Sequence, residues 1–327
     1  MSLAADYASL RERAGTGSIG PRRQIAVAGG DRAVYLQGLL TNDVQALVAG
    51  SGCYSAWLTP QGRMLTDLHV LESGDMILLD LPADQADRTL ERLDQFLFGE
   101  DVQLALLDGS LTGLWLHGPA AAGMLATVFE GLDDISTWQS YRLAKTSLQG
   151  EPAVVTRIDQ LGVPGFAIYL APTLEPSLQA ALREAGATPV GKDAIEALRI
   201  EAGYPVFGID MTEDTIPLEA GIEARAISLS KGCYVGQEVI IRVLHRGHGR
   251  VARRLVGLHV EGTPPAGGDK VFAADREIGF VTSAAESPRL GTIALGYLHR
   301  DFVNPATAVQ VQSSGSRLNA TVTERAS

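Results

Sequence analysis

The residues best suited to chemistry stand in three separate stretches. Cys233 lies in Lys231-Gly232-Cys233-Tyr234-Val235-Gly236-Gln237-Glu238. Gly232 and Gly236 predict a bent loop, and Gln237 onward predicts a helix. A thiol just ahead of a helix feels unsatisfied backbone N–H groups and the positive end of the dipole. Lys231 adds a cation. Both favour thiolate, the form that attacks electrophiles and binds metal. The competing reading is a small buried filler; the flanking glycines, lysine and tyrosine favour the shaped loop. Glu219 lies in Thr215-Ile216-Pro217-Leu218-Glu219-Ala220-Gly221. A carboxylate on a proline-stiffened turn can accept two parallel hydrogen bonds from an amino-pyrimidinone edge such as a pterin's. A Glu before a Gly also fits a solvated turn. Asp67 lies in Gly62-Arg63-Met64-Leu65-Thr66-Asp67-Leu68, near the end of a predicted strand. An acid there is either a functional group in a cleft or a solubility device on an edge strand.

Other chemistries lack their residues. His245 and His248 could share a helical face, but no further ligand stands at metal spacing, so no metal site is expected. The chain has no G-x-S-x-G and no G-x-G-x-x-G after a strand. Its two cysteines, Cys53 and Cys233, are too few for a disulfide framework or for a zinc or iron–sulfur site made by one chain. Each can act only as a single thiol or as one ligand in a shared cluster.

The elements that must position these residues follow from periodicity. Arg32 to Leu40 predicts a short helix. Gly52 to Leu58, Met64 to Val70 and Asp75 to Leu81 predict strands, and Pro82 to Phe98 an amphipathic helix. Together they suggest a small α+β unit. Leu111 to Leu116 predicts a strand and Pro119 to Phe129 a helix. Ala153 to Ile158 and Gly165 to Leu170 predict a strand pair, and Thr173 to Ala185 and Lys192 to Ala202 helices. From about Arg253 onward only strands and turns are predicted: 255–260, 270–274, 278–284, 292–298, 308–312 and 318–324. Six short strands with Gly, Pro and Ser between them predict a small antiparallel barrel or sandwich.

The chain has 327 residues, which predicts two or three packed units. It is 46% hydrophobic and 20% charged, the balance of a globular protein. The net charge of −11 repels nucleic-acid phosphate, so general nucleic-acid binding is not expected. One basic stretch stands out: Arg242, His245, Arg246, His248, Arg250, Arg253 and Arg254. It suits an anionic ligand, a partner protein or a solvated face. No apolar run is long enough to span a bilayer, and the first residues lack a secretory apolar segment. The expectation is a soluble, cytoplasmic protein with no membrane partner.

The octet from Lys231 to Glu238 resembles the signature of the YgfZ family of folate-binding, iron–sulfur-maintenance proteins. The wider chain resembles the superfamily of the glycine-cleavage T-protein, an aminomethyltransferase. Leu36 to Asp43, Leu198 to Pro205, Pro217 to Gly221, Gly279 to Ser283 and Ala294 to Tyr297 carry that wider resemblance. It implies an α+β fold of three lobes in a ring, two α+β lobes and a C-terminal antiparallel β-barrel. Residues 1–45 and 111–248 would form the folate-binding core, 46–110 an inserted ferredoxin-like lobe, and 249–327 the barrel. The cofactor implied is tetrahydrofolate. Glu219 matches the pterin-binding glutamate and Asp67 the aspartate implicated in folate chemistry. Cys233 matches the thiol of the YgfZ signature, and Arg242 the basic residue downstream of it, a loop anchor or a contact for the folate tail. Thr66 departs from the acidic pair often seen beside Asp67. The main reading implied is a tetrahydrofolate-binding factor that supports iron–sulfur cluster assembly or repair, with assembly proteins or client enzymes as partners. The alternatives are a folate-dependent aminomethyl or one-carbon transferase and a non-catalytic scaffold with a vestigial folate site.

Overall fold

The computed structural model describes residues 2–245 and 250–325. Three sheets organise them. The first is antiparallel and runs Ser51–Leu58, Met64–Glu72, Met76–Pro82, Arg22–Ala28, Gln103–Leu106. Helices Arg32–Leu39 and Ala86–Asp94 cover one face around Leu36, Trp57, Leu68, Val70 and Leu79. The second sheet has six strands, ordered Thr188–Pro189, Gly15–Thr16, Thr112–His117, Gly165–Leu170, Glu151–Arg157, Leu143–Leu148. Helices Ala121–Val128 and Glu175–Glu184 pack on it through Leu125, Leu178 and Leu182. The third is a closed six-stranded barrel of Arg253–Val260, Lys270–Ala273, Arg276–Ser287, Gly291–His299, Ala308–Ser313 and Ser316–Thr323. Pairing of its first and last strands closes it and removes both sheet edges. The α+β class with two sheet-rich lobes and a C-terminal barrel is therefore the observed architecture.

Most expected elements form within a few residues of their predicted ends. The exception is Pro82 to Phe98, where a short 3₁₀ turn, Ala83–Gln85, precedes a helix that stops at Asp94. The division of the first two lobes differs more. Arg22–Ala28 does not join the second sheet with residues 111–248. It pairs with Met76–Pro82 on one side and Gln103–Leu106 on the other. The first lobe thus draws a strand from before residue 45, and the cut at 45 does not follow the sheets. Pairing between segments that lie 48 residues or more apart leaves no mark on local periodicity, which is why the strand could not be allotted from sequence. The cut at 249 falls among residues 246–249, outside the described residues.

The first two sheets face each other through Leu71, Leu78, Trp115, Ala167 and Tyr169. A further core joins the first sheet to the segment after residue 205, through Tyr54, Leu58, Met64, Phe207, Met211, Leu218, Tyr234 and Ile240. The barrel is fastened by a buried ion pair. Arg199, on the helix Lys192–Glu201, is fully buried. It donates to Asp210 Oδ2 at 2.7 Å, to the Tyr204 carbonyl at 2.9 Å and to Ser283 Oγ on the barrel at 2.8 Å. Asp210 also accepts from the Ser283 hydroxyl at 2.6 Å and the Val206 N–H at 3.0 Å. Removing one partner of such a pair leaves an uncompensated buried charge. Arg199→Met is expected to cost about 3–5 kcal/mol in urea unfolding. A loss under about 1 kcal/mol would show that packing alone, and not this pair, holds the barrel.

Candidate functional site

Strand period two decides where Asp67 points. Leu68 and Val70 enter the core under the helices, while Asp67, His69 and Leu71 take the opposite face. That face looks toward the second sheet and the joining core, so Asp67 is buried rather than displayed at an edge. Tyr54 lies on the neighbouring strand, opposite His69 in register, and reaches diagonally to Asp67. Its hydroxyl donates to Asp67 Oδ2 at 2.7 Å. Asp67 Oδ1 has no hydrogen-bond partner among the described residues, although it is shielded from solvent.

Asp67 borders a cavity of about 360 Å³. Asp67, Arg22, Trp115, Gln160, Tyr204 and Phe207 are among its walls. Arg22 is anchored by Asp80, donating from Nε at 2.7 Å and to the carbonyl at 2.6 Å. Burial raises the Asp67 carboxyl above its ordinary range; the charge of Arg22, the Tyr54 hydrogen bond and the charge of Arg225 pull the other way. His69 bonds Tyr141 through Nδ1 at 3.0 Å and contacts Gln160 through Nε2 at 3.2 Å. Burial, then the charges of Arg22 and Arg225, hold it well below the usual histidine range, so it stays neutral. The arrangement offers one carboxyl oxygen without a partner among the described residues, a cation and aromatic surface in one cleft. An unpartnered buried carboxyl oxygen calls for a donor.

Glu219 and Arg242 are not brought to this cavity. Glu219, on the turn Pro217–Ala220, accepts from Arg253 Nε at 3.3 Å. Arg253 packs under Tyr297 of the barrel, 4.9 Å from the ring centre. The carboxylate expected to hold a pterin edge thus faces a barrel arginine. Arg242 is exposed on the helix Gln237–His245. The remainder of the basic stretch is split: Arg246 and His248 lie outside the described residues, and Arg254 pairs with Glu223 at 3.1 Å.

The octet around Cys233 is organised differently from its expectation. The helix begins at Gln237, four residues past the thiol, so Cys233 does not cap it. Lys231 turns inward rather than toward the thiol. Its ammonium donates to the carbonyls of Gln37, Leu40 and Asn42 at 2.7, 2.6 and 2.9 Å. Burial lowers its pKa to about 8, against the charge of Asp43, so it remains mostly charged at neutral pH. Tyr234 is buried in the joining core, and the Val235 N–H bonds the Gly38 carbonyl at 3.2 Å. Gly236 has φ of +85°, and a Cβ there would stand 2.5 Å from the Thr59 carbonyl. Only glycine meets both conditions. These anchors leave Cys233 exposed on a fixed loop. The second thiol, Cys53, is pushed up to about 12 by burial and is inert.

Sequence reasoning missed Arg22, Tyr54, His69, Gln160, Tyr204 and Arg225. The alternation from Asp67 to His69 was a usable signal, since it puts both on one face. For the others no local pattern exists, because each comes from a different segment.

Comparison with known proteins agrees with this architecture. Residues 1–231 match the GCVT N-terminal domain, and residues 253–326 match the glycine cleavage T-protein C-terminal barrel domain. The chain is 32% identical over 329 residues to an aminomethyltransferase of Geobacillus sp. (strain WCH70), covering 98% of this chain and 89% of that protein. It is 33% identical over 298 residues to an aminomethyltransferase of Rubrobacter xylanophilus, covering 90% and 79%. The crystal structure of the glycine cleavage system aminomethyltransferase T from Bartonella henselae superposes with a TM-score of 0.88 at 26% identity, covering 99% of this chain and 89% of that one. Matched in both of its domains and along nearly its whole length, the chain belongs to the glycine cleavage T-protein family.

Proposed function

We propose that the chain binds tetrahydrofolate and transfers a one-carbon unit to it, in the manner of the aminomethyltransferases it is similar to. The observation that carries this reading is Asp67, a residue that lines the cavity of about 360 Å³ and whose buried Oδ1 has no hydrogen-bond partner among the described residues. When bound, tetrahydrofolate supplies the nucleophilic nitrogens that take up a one-carbon unit. The protein's part is orientation, exclusion of water and proton handling. Tyr54 occupies Oδ2, so only Oδ1 of Asp67 is left to meet a ligand N–H. Burial raises the carboxyl toward the pH range in which it can take up or release a proton. Arg22 keeps a compensating charge in the same cavity. The aromatic walls keep water from the reacting atoms.

A second reading rests on a different observation, the exposed Cys233 on a loop whose other side chains are anchored. In it the thiol supports assembly or repair of iron–sulfur clusters, the cluster being cargo and the partners being assembly proteins or client enzymes. The names of the relatives favour transfer over this reading. Both can hold in one protein, since the thiol does not line the Asp67 cavity.

Asp67→Asn keeps the shape and an acceptor for Tyr54 but removes the charge. It is expected to weaken tetrahydrofolate binding at least tenfold in calorimetric titration and to abolish formation of methylene-tetrahydrofolate from an aminomethyl donor. Binding and turnover within twofold of the parent would refute the assignment; binding without turnover in the parent would mark a scaffold. Because the folded Asp67 pKa is raised, its accepting, charged form appears only above the ordinary carboxylate range. Affinity is therefore expected to rise as pH climbs through that window in the parent, and to lose that component in Asp67→Asn.

Cys233→Ala should leave transfer intact and fail to restore iron–sulfur enzyme activity in a deletion strain; full rescue would remove the thiol from consideration. Lys231→Met is expected to cost about 2 kcal/mol or more in urea unfolding, the worth of hydrogen bonds to a charged donor. It should leave the rate of Cys233 alkylation within twofold. A large fall in that rate would restore the lysine as an activator of the thiol.

A further inference from the structure

One face of the first sheet carries two rows of side chains. His69, Asp80 and Gln24 stand in register on three neighbouring strands, in the pairs His69–Asp80 and Gln24–Asp80. Two residues along, on the same face, the next row is Asp67, Pro82 and Arg22, with Arg22 opposite Pro82. Neighbouring strands lie about 4.8 Å apart, so the Asp67 and Arg22 backbones are about 10 Å apart with a proline ring between them. An arginine and an aspartate can close that span. Asp67, Pro82 and Arg22 all line the same cavity.

Arg22 does not take that partner. Its guanidinium turns diagonally to the other row: Nε donates to Asp80 Oδ2 at 2.7 Å and Nη2 to the Asp80 carbonyl at 2.6 Å. Gln24 Nε2 donates to Asp80 Oδ1 at 2.9 Å and fixes the carboxylate further. Asp80 is fully buried, and Tyr169 of the second sheet also faces it. The remaining groups around Asp67 do not fill its open oxygen. Tyr54 holds Oδ2 at 2.7 Å, and Oδ1 has no partner among the described residues. Arg225 stacks 4.8 Å from the Tyr54 ring centre and 4.0 Å from that of Tyr204; with Tyr204 it lines a second cavity, of about 270 Å³. His69, next on the same face, is neutral, and Asp84, the other acid of the Asp67 cavity, is exposed. Two carboxylates thus stand within reach of the Arg22 guanidinium, and the one that holds it does not line the cavity.

We propose that Asp80 is a positioning residue: by engaging Arg22 it keeps the guanidinium off Asp67 and leaves Oδ1 open to a ligand donor. A guanidinium released into this cavity bonds the nearest carboxylate, and Oδ1 is then lost to the ligand. Held where it is, Arg22 acts on Asp67 through its field, against the burial that raises the carboxyl. The effect of Asp80 is therefore carried by Arg22. The proposal rests on the tetrahydrofolate reading for the identity of the ligand; the state of Oδ1 follows from the sheet.

The test observes the Asp67 carboxyl directly, by ¹³C NMR of the full chain labelled at aspartate Cγ. Its resonance is the one lost in Asp67→Asn. In Asp80→Asn, Arg22 is expected to pair with Asp67, and the Asp67 titration midpoint to fall by about one pH unit or more. In the double variant Asp80→Asn/Arg22→Gln no cation is left to move, and the midpoint is expected to rise above the parent's. A merely structural role for Asp80 does not move the two variants in opposite directions. Tetrahydrofolate affinity in calorimetric titration is expected to fall at least tenfold in Asp80→Asn. Near-UV circular dichroism checks that each variant is folded, and Asp80→Ser carries the test if Asp80→Asn is not. The proposal is overturned if the Asp67 midpoint does not fall in the single variant, if it moves the same way in both, or if the single variant binds tetrahydrofolate as tightly as a parent that binds it. Midpoints that move as expected in a parent that binds no tetrahydrofolate uphold the positioning role and refute the tetrahydrofolate reading.

Discussion

The Arg199–Asp210 pair is where three parts of the molecule meet. Arg199 belongs to the helix Lys192–Glu201, Asp210 to the loop that follows it, and Ser283 to the barrel. The same two side chains fix the loop at both ends, Arg199 through the Tyr204 carbonyl and Asp210 through the Val206 N–H. Residues 204 to 209 then form one wall of the Asp67 cavity. A pair of buried charges is a costly way to hold a loop, and apolar packing often stabilises as well. What the pair adds here is direction. It accepts only one placement of the loop, and Tyr204 is thereby set between two cavities.

The octet around Cys233 shows how a loop can be fixed without secondary structure. Lys231 satisfies three carbonyls at the end of the helix Arg32–Leu39 and just beyond it. The Gln37 carbonyl belongs to the orphan groups that every helix end must place. Tyr234 and Val235 add apolar anchors on two different cores, and Gly236 lets the backbone pass against Thr59. The lysine that looked like an electrostatic partner of the thiol is a tether between distant segments. Its effect on Cys233 is positional: the loop is held, and the thiol is what it leaves in solvent.

Charge in the interior is distributed with a similar economy. Arg22 has Asp80, and Arg199 has Asp210. Among the described residues, Asp67 has a tyrosine hydroxyl on one oxygen and none on the other, and Arg225 lies against aromatic faces without an ion pair. An acid and a base that could have neutralised each other by direct contact are kept on either side of Tyr54. Each is left with a buried atom that has no partner among the described residues, and each residue lines a cavity. Binding sites require such unmet valence, and the structure concentrates it where the two sheets and the loop converge.

Local pattern was enough to place most strands and helices, including the six strands of the C-terminal unit, because periods of 2.0 and 3.6 are written in neighbouring residues; it did not mark Leu3–Glu12, Gln103–Leu106 or Leu143–Leu148, and it left barrel and sandwich open. It was also enough to single out Asp67 and Cys233, since an acid in an apolar strand and a thiol between glycines are departures from pattern. Pairing over long separations is not written locally, so the sheet that claims Arg22–Ala28 and the closure of the barrel were decided by the fold. The same holds for what each charge meets. Tertiary structure turned Lys231 toward carbonyls almost two hundred residues away, set Glu219 against Arg253, and gathered Tyr54, Arg22, Tyr204 and Arg225 around Asp67. Sequence names the groups that can do chemistry; only the packing of separate segments decides which are neutralised and which are left open to a ligand.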